Sequence, residues 1–400
     1  MACLLLSGCG DAARVESPSA SELATQPWDA VVARARGTEV VWRMWRGDPA
    51  INSYIDAWVA PRLRERYGIV LEAVEGRGPE LVNQLVIERE AGVRSGADLV
   101  WINGETFHNL MQEALLQGPW AGSLPASAAV DSASTIVSLD FEQDPAGFES
   151  PWGRVQFALI YDSARTPQPP RSLAELTEWI RRNPGRFTHD QSFTGMTFLK
   201  TVMYARAGGV QVFQGGYRED DFTRGRDSLF MWLDRVTPFF WRGGETYPAD
   251  VADLHRLFAN REVDFSMSNN QNEAATKARQ GVLPPTARAL VLRDGTIANA
   301  HYLGIPFNAL NPAGAMVVAD FLLSPEAQLE KARTHVWGDG SVLAPERLPE
   351  EWRERFAALD VDDSTMTADT LRRYAVPEVA PDYHERLIEE WRSRTRGSGR

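Results

Sequence analysis

The chain has 400 residues, 44% of them hydrophobic and 24% charged, which suits a globular body large enough for two α/β units. Its formal net charge of −12 excludes a broad basic surface for nucleic acid. The only cysteines are Cys3 and Cys9, so no disulfide, thiolate metal site or cysteine nucleophile can form beyond residue 9.

The chain opens on a short apolar run ending in Leu6-Ser7-Gly8-Cys9, which reads as a lipobox. Cleavage before Cys9 would leave a diacylated N-terminus, and two acyl chains anchor a protein stably to a membrane. The run is too short to span a bilayer and no charged segment precedes it, so residues 1–9 read as a truncated lipoprotein signal. Residues 10–26 are small and polar, and 10–36 read as a tether and a leading helix. No later segment is long and apolar enough for a transmembrane helix.

Alternating strand and helix patterns follow, the mark of α/β architecture. Thr38 to Arg43 predicts a strand, and Asp48 caps a helix with Pro49 at its first position and Gly68 at its end. Ile69 to Val74 and Asp98 to Ile102 predict two more strands, with helices over Glu80 to Glu90 and Thr106 to Leu116. Residues 117–150 read as loop. Arg154 to Tyr161 predicts one strand, and Ser172-Leu-Ala-Glu175 is a capping box that opens a helix to Arg182. The alternation continues through Phe193 to Ala207, Asp227 to Phe239, Val251 to Asn260, Val263 to Ser268 and Ala300 to Ile305. Helices over Ala313 to Leu323, Pro325 to Thr334, Pro349 to Ala358 and Tyr383 to Arg394 complete the chain. Only Lys200, Lys277 and Lys331 are lysines among 42 basic residues, a bias read as genome composition.

Catalytic templates are missing: the chain has no G-x-S-x-G, no H-E-x-x-H and no Walker loop. Its six histidines lack metal-ligand spacing. Aromatic, amide and hydroxyl residues instead gather where strands should end, which is where open α/β sheets bind ligands. Trp45, Arg46 and Asp48 follow the first strand, and Asn103 and Glu105 follow the third. Thr194 and Gly195 open a helix whose N–H groups suit an anion or a ligand carbonyl. Asn269 and Asn270 follow the strand ending near Ser266. Trp152 and Trp241 offer flat walls for a ring or cation, and Tyr302 lies beside His301. Each has a plainer reading: core packing for the aromatics, helix capping for Asp48 and Thr194, turn formation for the asparagines and Glu105.

Longer blocks carry a family resemblance. Trp42-Arg-Met-Trp45-Arg-Gly-Asp-Pro-Ala-Ile-Asn52 and Asp98-Leu-Val-Trp101-Ile-Asn-Gly-Glu-Thr-Phe107 resemble the YnjB-type solute-binding proteins of ABC importers. So do Glu149-Ser-Pro-Trp152-Gly-Arg-Val-Gln-Phe157, Thr166-Pro-Gln-Pro-Pro170, Phe193-Thr-Gly195 and Gly304-Ile-Pro-Phe-Asn-Ala309. The resemblance implies a two-lobe type II periplasmic-binding-protein fold, with hinge strands, a ligand cleft and a helical C-terminal segment. Lobe one is expected over 37–152 plus 303–340 and lobe two over 153–302, with 341–400 packing on both. The implied role is a periplasmic, lipid-anchored monomer that hands a small-molecule solute to an ABC permease and its ATPase. It implies no enzyme activity, cofactor or nucleic acid. Aromatic walls beside Asp48 and Glu105 suit a cationic or heteroaromatic, thiamine-like solute, and a phosphate would draw on Arg46 and Thr194. A polyamine or a metal is the alternative cargo, and an extracytoplasmic hydrolase on the same scaffold is the rival class.

Overall fold

The computed structural model describes residues 17–359 and 365–397. The lipobox with Cys9 lies outside the described residues, as do residues 10–16 of the tether. The rest of the tether is partly folded. Ser19 and Glu22 form a capping box on the helix Ala20–Ala24, whose Ala20 and Leu23 are buried. The small, polar composition of 10–26 concealed that signal.

The first sheet grows from β1 (Glu39–Met44), which buries Val40, Trp42 and Met44 on alternate positions. It pairs in parallel with β2 (Val70–Glu75) and β3 (Leu99–Ile102). Between β1 and β2 runs the helical segment that Asp48 opens, its side chain accepting from the Ala50 amide at 2.7 Å. The expected single helix is interrupted: Pro49–Ser53 opens into a π-turn at Tyr54–Val59 before Ala60–Tyr67, which ends at Gly68 with φ 70°. Tyr54 and Trp58 stack within that π-turn, their ring centroids 5.5 Å apart. Such wide turns are common at functional sites.

The strand predicted over 154–161 is in fact two strands in two sheets. β4 (Glu149–Gln156) ends the first sheet, the chain crosses at Phe157, and β5 (Ala158–Asp162) enters the second. β5 is buried on both faces and shows no alternation of its own, so the crossing leaves no break in the pattern. β6 (Phe265–Ser268) and β7 (Ala287–Leu290) flank β5 antiparallel. β8 (Thr296–Gly304) returns to the first sheet, inserted antiparallel between β3 and β4. The resulting order is β2-β1-β3-β8-β4, with the two-residue β9 (Ala375–Val376) beside the start of β8. β7 and β9 were not expected, being too short to show a period. β4 and β8 are therefore the hinge strands of a two-lobe α/β protein.

Each lobe has its own core. Lobe one buries Trp42, Leu99, Leu303 and nearly the whole circumference of the helix Pro312–Leu323. Lobe two buries Leu159, Phe198, Phe258 and Phe265 around its three strands. The C-terminal helix Pro381–Gly397 belongs to the second core through Tyr383, Leu387 and Trp391. None of the described helices is long and apolar enough to cross a membrane.

Candidate functional site

The carboxyl ends of β1 and β3 form one wall of the interlobe cleft. Trp45 is 38% exposed just beyond β1. Arg46 is tied to Asp56 of the π-turn, its Nη1 3.0 Å from Oδ1. The second carboxylate oxygen of Asp48 accepts from Nζ of Lys277, a lobe-two residue, at 2.7 Å, with both side chains mostly buried. Asp48 is thus a helix cap and an interlobe ion pair at once. A groove of about 900 Å³ opens beside this pair. Gly47, Pro49, Tyr54 and Trp58 line one side of it, and His255 and Lys277 the other.

Behind Lys277 stands a string of polar groups. His255 Nδ1 lies 2.7 Å from Ser266 Oγ, and His255 Nε2 lies 3.4 Å from Glu273. Burial pushes the Glu273 carboxyl up, but His255, Lys277 and Ser268 together hold it below the ordinary value. The string has the composition of a hydrolytic triad. Ser266 is 0% exposed, inside β6, so no substrate reaches its hydroxyl.

β3 ends at Asn103, in extended conformation and without a side-chain capping bond. Gly104, at φ 32°, begins the helix Gly104–Gln112 and donates its amide N–H to Asp140. A Cβ at Gly104 would lie 2.2 Å from the Phe141 ring, so only glycine fits. Glu105 follows in the first turn, half-buried, and burial pushes its carboxyl up, with Glu385 adding to the effect. Its Oε2 lies 3.5 Å from Nε2 of His384 on the C-terminal helix.

The opposite wall is the start of the helix Phe193–Ala207. Its N-terminus is already occupied, which corrects the expectation that it awaits an anion. Oδ1 of Asp190 accepts from the amides of Ser192 at 2.8 Å and Gly195 at 3.1 Å. A Cβ on Gly195 would sit 1.8 Å from the Asp190 carbonyl oxygen. Thr194 Oγ1 accepts from Asn269 Nδ2 at 3.2 Å, which joins two of the expected anchors. Asn270 reaches across the lobes, its Nδ2 3.5 Å from the Trp337 carbonyl oxygen.

Three expected wall residues lie elsewhere. Trp152 is fully buried in an aromatic cluster with Trp42, Trp101, His301 and Trp337. Tyr302 is fully buried, and its hydroxyl donates to the carbonyls of Val137 and Leu139 at 3.0 and 3.1 Å, pinning the loop that carries Asp140. Trp241 packs against the lobe-two core and carries the Arg242 guanidinium 4.2 Å from its ring centroid. Trp152 and Tyr302 lie on the hinge strands and Trp241 in a turn of lobe two, and in each case neighbouring bulk decides which way the side chain turns.

Sequence reasoning passed over several groups at this junction. Lys200 Nζ is fully buried, 2.6 Å from Glu378 Oε2 and 4.6 Å from the centroid of the Phe141 ring. Phe141 and Glu142, at φ 47° and 61°, reach over from lobe one, and Glu142 accepts from the amides of Gly215 and Gly216. Asp140 and Glu149 are buried carboxyls pushed well up, first by burial and then by a neighbouring carboxylate, Glu378 for Asp140 and Asp140 for Glu149. Lysine scarcity was the available signal. All three lysines form buried ion pairs, Lys200 with Glu378, Lys277 with Asp48 and Lys331 with Asp339. Among the described residues no group of three or more His, Cys, Asp or Glu side chains is placed to hold a metal ion.

Comparison with known proteins agrees with this geometry. Residues 58–356 match the family model described as bacterial extracellular solute-binding protein. Protein YnjB of Escherichia coli strain K12 is 37% identical over 332 residues, covering 82% of this chain and 85% of that protein. An ABC transporter structure from Clostridium perfringens superposes with a TM-score of 0.61 at 13% identity, covering 90% of this chain and 100% of that one. AfuA from Actinobacillus pleuropneumoniae, with fructose-6-phosphate bound, gives 0.60 at 15% identity over 90% and 99% of the two chains. The spermidine/putrescine-binding protein PotD from Streptococcus pneumoniae gives 0.60 at 15% over 90% and 99%. These likenesses share the two-lobe, type II periplasmic-binding fold of the structure. The family match and the extended identity to a curated relative leave one assignment: this chain belongs to the bacterial extracellular solute-binding proteins, which are transport proteins and not enzymes.

Proposed function

We propose that this chain is the lipid-anchored, periplasmic receptor of an ABC importer and that it captures a cationic, heteroaromatic solute of the thiamine kind. The observation that carries the cargo reading is the charge of the cleft. Asp190 already fills the N-terminus of the helix Phe193–Ala207, where a phosphate would sit, and Arg46 is committed to Asp56. Glu105 stands on the facing wall with the exposed Trp45, while Asp48 is balanced by Lys277. An acid with aromatic faces beside it favours a cation through ion pairing and cation–π contact. Closing the lobes over the solute then depends on its higher affinity for the closed state.

A polyamine is the second reading, since Glu105 beside the exposed Trp45 would receive an ammonium group as readily as a heteroaromatic cation. A metal cargo draws no support from the described side chains. The receptor acts as a monomer held by lipid on Cys9 and delivers its solute to the permease and ATPase.

The test is a thermal-shift screen of residues 17–400, which keep the packed helix Ala20–Ala24, stripped of solute by unfolding and refolding. Thiamine, its phosphates, putrescine, spermidine, sugars, amino acids and ferric citrate make up the panel. A solute at 100 times its Kd adds about 2.7 kcal/mol to the folded state, a clear shift in the transition. A shift with thiamine supports the cargo reading. A shift only with sugars, phosphates or ferric citrate overturns it. Mass spectrometry of the membrane-extracted protein checks the anchor, with a diacylated Cys9 as the expected N-terminus.

A further inference from the structure

The C-terminal helix Pro381–Gly397 lies beyond the residues that match the family model, 58–356. It is locked to lobe two through Tyr383, Leu387 and Trp391 in that core and through Glu390, 3.0 Å from Arg226. Its other face meets lobe one, where Glu385 accepts from Asn109 Nδ2 at 3.3 Å and His384 faces Glu105. His384 therefore stands where three elements converge: the first turn of Gly104–Gln112, the first turn of Phe193–Ala207 and its own helix.

The ring is 2% exposed, 5.4 Å from the Phe193 ring and 6.0 Å from the Phe141 ring. The charged groups around it are Glu105 of lobe one and Lys200 of lobe two, with Glu378 on the far side of Lys200. Burial first, and then the Lys200 ammonium, push the imidazole well below its ordinary value, which keeps it neutral. A neutral imidazole has one N–H and one lone pair. With the hydrogen on Nε2, toward the Glu105 carboxylate, the lone pair falls on Nδ1. Nδ1 is buried and has no hydrogen-bond partner among the described residues. A buried acceptor of this kind strongly favours a partner that brings a donor.

We infer that His384 is a solute-contacting residue that selects cations bearing N–H groups, accepting one such hydrogen at Nδ1 while the Glu105 carboxylate takes the charge. The inference rests on the cationic-solute reading above and narrows it. A protonated amine or an aminopyrimidine satisfies both groups when the lobes part and reclose around it. A quaternary cation of the same charge satisfies only Glu105. Lys200 Nζ already lies 4.6 and 5.9 Å from the Phe141 and Phe193 ring centroids, so the rings add no preference between the two cations and discrimination falls on the imidazole.

The test uses the full chain, stripped of solute, and isothermal titration with matched pairs of probes. One pair is thiamine and its 4-deamino analogue, in which hydrogen replaces the pyrimidine amine. The other is spermidine and its fully quaternised form, in which every nitrogen carries methyl groups and no hydrogen. The wild-type chain is expected to favour the N–H-bearing member of the pair it binds by about tenfold or more, the scale of one hydrogen bond in a charged site. His384→Phe keeps a ring and should erase that preference while leaving the affinity for the other member within about twofold. His384→Asn keeps an acceptor and should restore part of the preference. This ratio does not follow a general loss of stability, and if the Phe variant does not fold, His384→Ala replaces it. A preference unchanged in the acceptor-free variant overturns the inference and leaves the cationic receptor standing. Failure of the wild-type chain to bind either N–H-bearing probe overturns the cationic reading, and this inference with it.

Discussion

The two walls of the cleft are built in opposite ways. Lobe one leaves side chains open at its strand ends: Trp45 is 38% exposed, Asn103 makes no capping bond, and Glu105 is half-buried. Lobe two is satisfied internally, with Asp190 seated on the amides of Ser192 and Gly195 and Lys200 locked on Glu378. A wall whose polar groups are already paired gains little from a new partner and loses much when a pair is broken. Recognition should therefore concentrate on lobe one and on His384, whose Nδ1 lacks a partner among the described residues, and fold stability on the paired groups of lobe two. Substitutions on the two sides should separate cleanly by readout.

The largest effect is expected at Lys200. Lys200→Met leaves Glu378 buried without its cation, which should cost roughly 3–5 kcal/mol. Urea denaturation measures it, and a loss below about 1 kcal/mol would remove the claim that lobe two is stabilised by this pair. Next is the acid limb of stability. Burial pushes His189 down to about 4, from an ordinary 6.5. The unfolded chain takes up that proton first as pH falls, so the stability due to neutral His189 is complete above about pH 6.5. It drains away toward pH 4 and then levels, a total of about 3 kcal/mol. Denaturation midpoints between pH 7 and pH 4 should show that slope, and His189→Phe should flatten it. An unchanged slope in the variant would place the acid sensitivity elsewhere.

Gly195→Ala should cost about 1–3 kcal/mol, since the new methyl meets the Asp190 backbone, which cannot yield as a side chain would. The smallest stability effects belong to the other wall. Trp45→Ala and Asn103→Ala should each change folding stability by no more than about 0.5 kcal/mol. Both should weaken binding of whichever probe the wild-type chain takes, thiamine or spermidine, by about tenfold. Titration calorimetry beside thermal melts reads both quantities. Full affinity in both variants would break the contrast between the walls.

Much of the scaffold was legible from local chemistry. Asp48 with Pro49 announces a helix start, Gly68 its stop, and Ser172 with Glu175 another start; the structure places caps at each. The β1–β2–β3 alternation needed only short-range periodicity. The break at Phe157 was hidden because β5, buried on both faces, has no alternation of its own to mark the change of sheet. The helix at Ala20–Ala24 was missed for the opposite reason, since its capping box lies within a stretch whose composition suggests a tether.

Patterns within one or two turns of chain determined the α/β class and the strand ends around which a cleft forms, while the two-lobe arrangement and the family were implied by the resemblance of longer sequence blocks. Tertiary structure alone decided which of those residues still have a free face. Trp152 and Tyr302 sit at the hinge as the pattern implies, yet surrounding tryptophans and backbone carbonyls absorb them. Lys200 meets Glu378, Lys277 meets Asp48 and His384 meets Glu105 across separations of 178, 229 and about 280 residues. No local propensity encodes such pairings; they follow from packing, and a charge buried without a partner is costly.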